Sequence, residues 1–356
     1  MLLPHMQPDS AARRLERSWW RTQPSLWQWC LSPVALLYGG LMSLRSLCYR
    51  YGLSRQVRLP IPVVVVGNYI VGGAGKTPTT LALVHAFKAQ GWRPGVVSRG
   101  YGREGDKVTL IHPDSKADAV GDEPLLIFLK AQVPVCVGRS RAEAATALME
   151  AHPEVNLIIL DDGLQHLRLA RDAQIVVFDQ RGAGNGWTLP AGPLRERMPP
   201  EVPAATWVVY NAPAPSTPLA GTTAERQLAG AVELEAWRRG QAFSMTSLEA
   251  LRQHTQASPA LAAAGLAEPE RFFSMLEAAG FQLERMPLPD HAPLKTRPWS
   301  SEVGMVLVTE KDAVKLQVEP ALDAKIWVLG LDFTLPAALT QALDKHLRTL
   351  YPTIAP

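Results

Sequence analysis

A glycine-rich turn that ends in Lys76 and Thr77 carries the most specific chemical signal of the sequence. The apolar run Pro62–Gly67 precedes the turn, and Pro78 lies in the first turn of the helix predicted to follow. In a strand, turn and helix of this kind, backbone N–H groups face an anion, the lysine reaches the outer phosphates of a nucleotide, and the threonine hydroxyl holds Mg²⁺. The segment therefore predicts a nucleotide phosphate site. A glycine-rich hairpin turn is the alternative.

The predicted phosphate loop departs from the P-loop pattern G-x-x-x-x-G-K-[ST] at one position. Ile70 stands six residues before Lys76, where the pattern has a glycine, and Gly72 and Gly73 supply the flexibility instead. We expect the phosphates to be surrounded by Ile70, Val71, Gly72, Gly73, Ala74, Gly75, Lys76 and Thr77.

Two carboxylates, Asp161 and Asp162, follow directly after the apolar run Leu157–Leu160. Ligands of open parallel sheets bind at the carboxyl ends of the strands, and a carboxylate there holds Mg²⁺ or its waters in a phosphate-loop fold. The sequence predicts a metal site formed by these two residues and Thr77, with an exposed Asp-Gly turn as the alternative. Gln165–His166 is expected near the same cleft.

Asp122 opens a predicted helix, and its surroundings in the sequence allow two interpretations. An aspartate followed by Pro124 is an ordinary helix start, in which the carboxylate caps the helix. A carboxylate at this place could instead accept the proton of a substrate hydroxyl that faces the nucleotide. The residues alone leave the two interpretations tied. A single histidine such as His291 is more often structural than catalytic.

Two further polar segments follow predicted strands. Ser98–Arg103 places two arginines on a glycine-rich loop, where they bind phosphate or an anionic acceptor, or are only solvated. Thr309 and Asp312 have the spacing of a helix capping pair, and Lys311 and Lys315 share a face of that helix. We interpret the second segment as structural.

Short β-branched runs alternate with helical patterns in the part of the chain that carries these residues. Continuous apolar strands separated by helices indicate a P-loop NTPase-like α/β fold, a parallel sheet with helices on both faces. The predicted strands are Pro62–Gly67, Gly95–Ser98, Pro134–Val137, Leu157–Leu160, Gln174–Phe178 and Trp207–Tyr210, and the predicted helices are Thr77–Gln90, Glu123–Ala131 and Arg139–Ala151.

The Pro-, Ala- and Thr-rich run Ala212–Thr223 is the best candidate for a domain boundary. We predict an N-terminal segment at 1–58, a phosphate-loop domain at 59–211 and a smaller C-terminal α/β domain at 212–356. The elements predicted for the smaller domain are the strands Met305–Val308 and Ile326–Leu329 and the helices Pro269–Ala279 and Ala337–Leu347.

The composition is that of a globular protein, with 47% hydrophobic and 19% charged residues in a chain of 356. The three cysteines lack a C-x-x-C spacing, which favours a reducing compartment over a disulfide framework or a zinc site. The net charge is only +3, and the basic excess is confined to the N-terminus, so nucleic-acid binding is not expected.

The N-terminal segment combines arginines and tryptophans around an uncharged apolar stretch. Residues 1–60 carry eight arginines against two acidic residues and hold four of the ten tryptophans, and no charged residue lies between Thr22 and Leu44. This pattern favours a segment that lies in a membrane interface. A spanning helix, interrupted by Pro24 and Pro33, and a helix packed on the protein's own core are the alternatives.

Taken together, the motifs resemble those of the tetraacyldisaccharide 4′-kinases, the lipid A 4′-kinases of Gram-negative bacteria. The matching blocks occur in family order over residues 60–316, and their joint specificity is high although each alone is weak. They are Val66–Pro78, Ser98–Arg103, Gly121–Pro124, Val137–Arg141, Asp161–His166, Leu189–Glu196, Glu268–Phe273, Pro289–His291 and Thr309–Lys315.

The resemblance implies transfer of the γ-phosphate of ATP to the 4′-hydroxyl of a tetraacylated glucosamine disaccharide 1-phosphate, with Mg²⁺, in lipid A biosynthesis. It implies work at the cytoplasmic face of the inner membrane, on a lipid disaccharide, and a monomer is expected. By resemblance Asp122 is the base and His291 its tuning partner, while Lys76 and Asp162 complete the catalytic set. A base of this kind is effective only if its pKa is raised toward the working pH.

This chain also differs from the family's usual pattern. Ala292 follows His291 where the family often has a second histidine. Gly265–Glu268 reads Gly-Leu-Ala-Glu where the family often has Gly-Ile-Gly-Asn. The first difference puts an auxiliary role for the neighbouring position in doubt, and the second leaves the loop and any acceptor contact from it open.

Two other functions compete with a membrane-associated lipid kinase. The first is a phosphate-loop kinase of a soluble small molecule, in which the N-terminal segment only packs on the core. The second is a nucleotide-switch protein, such as a GTPase or a metallochaperone. No N-K-x-D motif for reading guanine and no Cys/His cluster for a metal cargo occurs in the sequence.

Overall fold

The computed structural model describes residues 11–21, 23–292, 294, 297–300, 302–316 and 325–354. The predicted segment 1–58 therefore lies partly outside the described residues, at 1–10 and 22. The described chain forms two sheets, one of eight strands and one of five.

The larger sheet is parallel apart from one strand at its edge and has the order β3-β4-β2-β5-β1-β6-β7-β8. Every strand predicted in this part of the chain is present, with ends that move by at most one residue, so the prediction of a parallel α/β sheet is confirmed. The strands are β1 (Val63–Gly67), β2 (Pro94–Ser98), β3 (Thr109–Leu110), β4 (Val135–Val137), β5 (Leu157–Leu160), β6 (Ala173–Asp179), β7 (Thr206–Asn211) and β8 (Thr222–Thr223).

Helices cover both faces of this sheet because its central strands are apolar on both sides. Val64 and Val66 of β1 belong to one buried cluster, and Val63 and Val65 belong to another on the opposite face. Alternate side chains of one strand thus hold two layers of helices. The helices around this sheet are α3 (Lys76–Ala89), α4 (Ala117–Val120), α5 (Asp122–Ala131) and α6 (Arg141–Ala151).

The smaller sheet has the order β11-β10-β12-β13-β9, with only β9 antiparallel to its neighbour. The sequence predictions missed three of its strands. β10 is a run of alanine and leucine that reads as a helix, but its small side chains let Phe272 and Phe273 pack close above the sheet. The elements are β9 (Glu225–Glu233), α7 (Leu234–Arg238), α8 (Met245–Ala257), β10 (Ala260–Ala264), α9 (Pro269–Ala278), β11 (Leu283–Pro287), β12 (Met305–Thr309), α10 (Glu310–Ala313) and β13 (Lys325–Thr334).

The C-terminal helix α11 (Ala337–Leu350) packs on the larger sheet, although it follows the smaller sheet in the chain. Leu339, Leu343 and Leu347 join the same buried cluster as Val64, and the Trp92 indole donates a hydrogen bond of 2.8 Å to a carboxylate of this helix. Strand β8 also pairs with β7, beyond the boundary predicted at 211. The division into 59–211 and 212–356 therefore stays a prediction.

The N-terminal segment forms α1 (Ala11–Trp19) and the long helix α2 (Leu26–Arg50). Helix α2 has 25 residues and a mean hydropathy of 1.3 over its most apolar 18, so it passes a test of length and composition for crossing a membrane. Only 11% of that stretch is buried. Helix α2 is therefore not enclosed by the rest of the described chain.

Helix α2 contacts the rest of the protein along one narrow face. The Thr188 hydroxyl donates a hydrogen bond of 2.7 Å to the Ala35 carbonyl, and the Tyr38 hydroxyl donates one of 2.8 Å to the Arg195 carbonyl. The face that remains exposed is large and apolar. Its residues are Leu26, Trp27, Trp29, Val34, Leu36, Leu37, Leu41, Leu44 and Leu47.

Candidate functional site

The predicted phosphate loop joins β1 to α3 at the carboxyl edge of the larger sheet. Gly75 immediately precedes α3 with a left-handed φ of +96°, and a Cβ atom at this position would collide with the Asn211 side chain. Asn211 ends β7 and donates a hydrogen bond of 3.2 Å to the Ala74 carbonyl. A neighbouring strand end therefore fixes the loop, and the loop leads directly into a helix N-terminus.

Ile70 anchors the phosphate loop to the protein core. Its side chain is fully buried in a cluster with Tyr69, Phe178 and Tyr210, and its backbone forms an antiparallel bridge with Leu194. A glycine at this position would leave a hole in that apolar layer. Packing thus explains why isoleucine replaces the glycine of the P-loop pattern at position 70. The Ile70 side chain points into the apolar cluster, away from the predicted phosphate site.

The amino group of Lys76 lies over the loop within reach of three oxygen atoms. It is 3.4 Å from the Asn68 side-chain carbonyl oxygen, 3.4 Å from the Gly72 carbonyl and 3.6 Å from Asp162. The Lys76 side chain is only 9% exposed. A lysine held in this position is ready to meet the outer phosphates of a nucleotide.

Asp161 and Asp162 follow β5 at the same edge of the sheet and have pKa values shifted in opposite directions. The pKa of Asp161 is raised, mainly by burial and then by the negative charges of Glu123 and Asp162. Burial also favours a higher pKa for Asp162, but Lys76 and Arg195 outweigh it and lower the pKa. The Asp161 carboxylate accepts hydrogen bonds from Thr80 at 2.9 Å and Ser98 at 3.4 Å.

These side chains fit a magnesium ion by the chemistry of their donors. Among the described residues, no group of three or more His, Cys, Asp or Glu side chains is placed to hold a metal ion without help from a ligand. Mg²⁺ commonly uses one or two carboxylates, with nucleotide phosphates and waters for the remaining positions. Thr77, Asp161 and Asp162 offer such oxygens, and a divalent cation would relieve the negative surplus that raises the pKa of Asp161.

Asp122 and His291 form a pair that joins the two sheets. The His291 Nδ1 atom is 3.1 and 3.0 Å from the two carboxylate oxygens of Asp122, although the residues are 169 positions apart in the chain. The Tyr101 ring lies against the imidazole, with 5.0 Å between the ring centroids. The structure therefore brings together two residues that only the family resemblance had linked.

The structure places Asp122 just inside helix α5 and not at its N-cap position. Gly121, with φ of +94°, occupies the N-cap position, and Asp122 is the first residue of α5. One Asp122 oxygen accepts a hydrogen bond of 2.9 Å from the Glu123 amide, while both face His291. The Asp122 carboxylate therefore does not cap the helix from the N-cap position, and both of its oxygens lie beside His291.

The pKa of Asp122 is shifted in the direction opposite to the expectation for a lone base. Burial raises it, but the hydrogen bond from His291 and the charge of Lys311 outweigh burial, so the pKa is lowered. The same hydrogen bond raises the pKa of His291 against burial and the charge of Lys311. Asp122 alone therefore does not have the raised pKa that a carboxylate base needs, and the histidine, not the carboxylate, gains proton affinity in this pair.

Lys311 supports the pair from the smaller sheet. Its amino group is 3.0 Å from Glu123, 2.9 Å from Asp290 and 3.4 Å from the His291 Nε2 atom. The predicted cap next to it is present, since the Thr309 hydroxyl accepts a hydrogen bond from the Asp312 amide. The sequence pattern predicted only a structural role for this segment. Lys311 lies just after the carboxyl end of β12, and this position was the one signal in the sequence that could have indicated a role in the site.

Arg195 connects Asp162, one carboxylate of the predicted metal site, to helix α2. Its guanidinium is 3.1 Å from Asp162 and 3.4 Å from Gln165, and its carbonyl accepts the hydrogen bond from Tyr38. Gln165 donates to Glu196 at 2.8 Å, as expected for a residue near this cleft. His166 accepts a hydrogen bond from the Arg141 amide, and burial followed by the Arg141 charge lowers the pKa of His166 to about 4. The histidine is therefore neutral at pH 7.

The loop Ser98–Arg103 divides between the site and its own structure. Ser98 and Tyr101 contact site residues, as described above. The Arg103 guanidinium donates a hydrogen bond of 2.7 Å to the Lys107 carbonyl of its own loop. Anion binding by Arg103 stays a prediction, and its guanidinium is bonded within its own loop.

A cavity of about 330 Å³ lies between the phosphate loop and the smaller sheet. Arg226 and Arg271 give one wall a positive charge, and burial followed by the Arg271 charge lowers the pKa of Arg226 to about 10. Leu266, Phe272 and Met275 add apolar surface to the lining. A cavity lined by both charged and apolar side chains suits a nucleotide, whose phosphates are charged and whose base is flat and weakly polar.

Comparisons with known proteins identify the family of this chain. The family model for tetraacyldisaccharide-1-P 4′-kinase (LpxK) matches residues 27–348. The chain is 49% identical to the tetraacyldisaccharide 4′-kinase of Methylibium petroleiphilum, covering 97% of this chain and 98% of that protein. It is 48% identical to that of Leptothrix cholodnii, covering 94% of this chain and 96% of that protein.

The fold is also similar to that of a solved protein. The crystal structure of LpxK from Aquifex aeolicus in complex with ATP superimposes with a TM-score of 0.73 at 24% identity, covering 90% of this chain and 100% of that chain. The likeness in fold agrees with the family match along the chain. This chain belongs to the tetraacyldisaccharide 4′-kinase family.

Proposed function

We propose that this protein transfers the γ-phosphate of ATP to the 4′-hydroxyl of tetraacyldisaccharide 1-phosphate in lipid A biosynthesis. The observation that carries the proposal is the contact between Asp122 and His291, beside Glu123 and Asp290, which line the same cavity as the phosphate loop. Family membership gives the acceptor its identity. The geometry supplies a place for the phosphates and an acceptor for the hydroxyl proton.

ATP occupies the cavity between the phosphate loop and the smaller sheet in this proposal. Its β- and γ-phosphates lie on the loop amides with Lys76, and its nucleoside extends toward Leu266 and Phe272. Arg226 and Arg271 face the same cavity, where a polyanion would compensate their buried positive charge. This arrangement explains why two arginines lie side by side at this place.

Thr77, Asp161 and Asp162 are the residues proposed to hold Mg²⁺. The ion supplies charge neutralisation at the β- and γ-phosphates when it is bound. Lys76 adds a fixed positive charge from the protein, and Arg195 holds the Asp162 carboxylate in place at 3.1 Å. Fixed charges of this kind matter because phosphoryl transfer depends on positioning and electrostatics more than on covalent chemistry.

Asp122 and His291 act together as the base. As the 4′-oxygen bonds to the γ-phosphorus and the bond to the β-phosphate oxygen breaks, the hydroxyl proton passes to the Asp122 carboxylate. When His291 is neutral with an unprotonated Nδ1 atom before transfer, it takes up that proton through the 3.0 Å contact, and its raised pKa makes it the better final holder. His291 also borders a cavity of about 630 Å³, through which the proton can leave for solvent. ADP and the 4′-phosphorylated lipid are the products.

The exposed apolar face of α2 is proposed to dock the cleft on the cytoplasmic side of the inner membrane. The acyl chains of the acceptor stay in the bilayer, so the cleft must lie where the sugars project. The apolar face of α2 remains exposed while its other face holds Arg195 through Tyr38. A monomer docked in the interface is the proposed arrangement, and a spanning helix is the alternative that vesicle experiments distinguish.

A transfer assay tests the proposed function directly. Purified protein in detergent should transfer ³²P from γ-labelled ATP to tetraacyldisaccharide 1-phosphate, and a D122N variant that still binds ATP serves as the matched control. Transfer to a soluble sugar but not to the lipid would favour the soluble-substrate alternative. ATP binding without transfer to either acceptor would contradict the proposal.

A further inference from the structure

One arginine outside the predicted site contacts the phosphate loop and three other parts of the protein. The Arg181 guanidinium donates a hydrogen bond of 2.9 Å to the Gly73 carbonyl in the loop. The same side chain forms two ion pairs, at 2.6 Å to Asp179 at the end of β6 and at 2.8 Å to Glu268 beside α9. Its carbon Cζ also lies 4.4 Å from the ring centroid of Trp20.

The contact with Gly73 bears on how the loop binds an anion. Gly72 has a left-handed φ of +86°, and two adjacent glycines leave this part of the backbone free to rotate. A rotated peptide would point a carbonyl oxygen, instead of an N–H group, toward the phosphates. Because the hydrogen bond from Arg181 restrains the Gly73 carbonyl from rotating, we infer that it favours the orientation that an anion needs.

The Trp20 contact brings the N-terminal segment to the loop. The indole of Trp19 donates a hydrogen bond of 3.0 Å to the Pro190 carbonyl, and the Trp19 carbonyl accepts one of 2.8 Å from the Asn185 amide. Gly184 has φ of +57° and allows this close approach, since a Cβ atom there would lie 2.6 Å from the Trp19 carbonyl oxygen. The end of α1 is thereby fixed with Trp20 against Arg181.

The Glu268 contact brings the smaller sheet to the loop. Glu268 occupies the N-cap position of α9 without a capping hydrogen bond from its side chain. The carboxylate turns to Arg181 instead, and the preceding Ala267 would lie 3.3 Å from a Cβ atom on Gly73. Glu268 stands where the family often has asparagine, and its partner in this chain is Arg181.

We propose that Arg181 is a positioning residue of the phosphate loop, through which Trp20 and Glu268 control the affinity for ATP. The inference rests on the proposed function only in that the loop binds ATP. An arginine suits this role better than a lysine because its planar fork bonds a carboxylate and a carbonyl while its face packs on an indole.

Direct ATP binding and steady-state kinetics on the full-length protein test the proposal. R181K keeps a positive charge beside the buried Asp179 but loses the planar guanidinium that bonds Gly73 and Glu268. We therefore expect the Kd and KM for ATP to rise about tenfold. W20L should raise both about threefold, and E268Q by a similar factor, with kcat within twofold of wild type. W20F should restore most of the affinity, because a smaller aromatic ring still packs on the guanidinium.

Trp207 provides the matched control, since it packs on His346 of α11 and takes no part in the loop. W207L should leave Kd and KM for ATP unchanged. The proposal is overturned if W20L and W207L change ATP affinity equally, or if the losses follow the melting temperature of each variant. It is also overturned if kcat falls while KM stays constant. Binding is measured without the lipid, so wild-type protein that binds ATP but transfers no phosphate contradicts only the proposed function.

Discussion

Two buried carboxylates, Asp161 and Asp122, have pKa values shifted in opposite directions. Asp161 lies near Glu123 and Asp162, and burial with these negative charges raises its pKa. Asp122 is also buried, but its contact with His291 and the charge of Lys311 lower its pKa. The difference shows that burial alone does not decide the role of an acidic residue. A carboxylate with excess negative charge nearby suits a cation, whereas one paired with a histidine suits proton transfer.

The largest effect in this comparison is expected from D122N. The amide cannot accept the hydroxyl proton, so kcat should fall about 10³-fold. The pKa of Asp122 is lowered in the folded protein, so its contribution to stability is present above the unfolded-state pKa and lost as pH falls through the folded value. We therefore expect a small decrease in melting temperature at pH 8. Equal losses of folding and activity would show that Asp122 is structural.

The next largest effect is expected from D161N. Losing this metal oxygen should reduce kcat about 10²-fold and increase the Mg²⁺ concentration needed for half-maximal rate. The pKa of Asp161 is raised in the folded protein, so its ionised form opposes folding above the unfolded-state pKa. D161N should therefore melt about 2 °C higher than wild type at pH 8 in chelator. A lower melting temperature with unchanged Mg²⁺ dependence would contradict the metal role.

A smaller effect is expected from H291N, which leaves the Asp122 carboxylate alone. We expect kcat to fall about tenfold, since Asp122 can still accept the proton but has no partner to hold it. The pKa of His291 is raised, so the acidic limb of the wild-type rate profile should lie at a pH above the ordinary pKa of histidine. In H291N this acidic limb should move to lower pH. Rate profiles between pH 5 and 9 measure this shift. An unchanged limb would separate His291 from the proton transfer.

The pH dependence of stability gives H291N a second readout. A raised histidine pKa contributes stability that is fully present below the unfolded-state pKa and is lost as pH rises through the folded value. The wild type should therefore lose part of its stability advantage over H291N as pH rises from 6 to 8, as measured by thermal melting. The same advantage at both ends of this range would argue against the Asp122–His291 contact in solution.

The smallest effect is expected from K311M. Lys311 lowers the pKa of both members of the pair, so removing its charge should move the acidic limb upward and reduce kcat at pH 7 about threefold. K345M, at an exposed position on α11, is the matched control and should leave the profile unchanged. A shift of the same size in both variants would mean that net charge, and not position, causes it.

Local patterns in the sequence predicted the larger sheet well and the smaller sheet poorly. Strands such as Leu157–Leu160 are apolar throughout because both faces are buried, which makes them recognisable without a structure. Strand β10 consists largely of alanine, whose preference is helical, and becomes a strand because α8 and α9 pack against it. Tertiary contacts overrode local preference there.

The candidate site divides in the same way. Short contiguous motifs predicted the phosphate loop and the Asp161–Asp162 pair. The same kind of motif carried the resemblance to a kinase family. The contacts of Arg181 with Gly73, Glu268 and Trp20 were not, because they join residues from four separate parts of the chain. A side chain of this kind has no local spacing that marks it.

The sequence by itself determined the chemistry available to this protein: a phosphate loop, carboxylates after apolar strands and an uncharged, tryptophan-rich N-terminal segment. Only the tertiary structure decided how those groups act. It placed Asp122 against His291, which lowered one pKa and raised the other, and it buried Ile70 beneath the loop as a packing residue. The physical reason is that residue type is local, whereas burial and electrostatic surroundings depend on contacts between residues far apart in the chain.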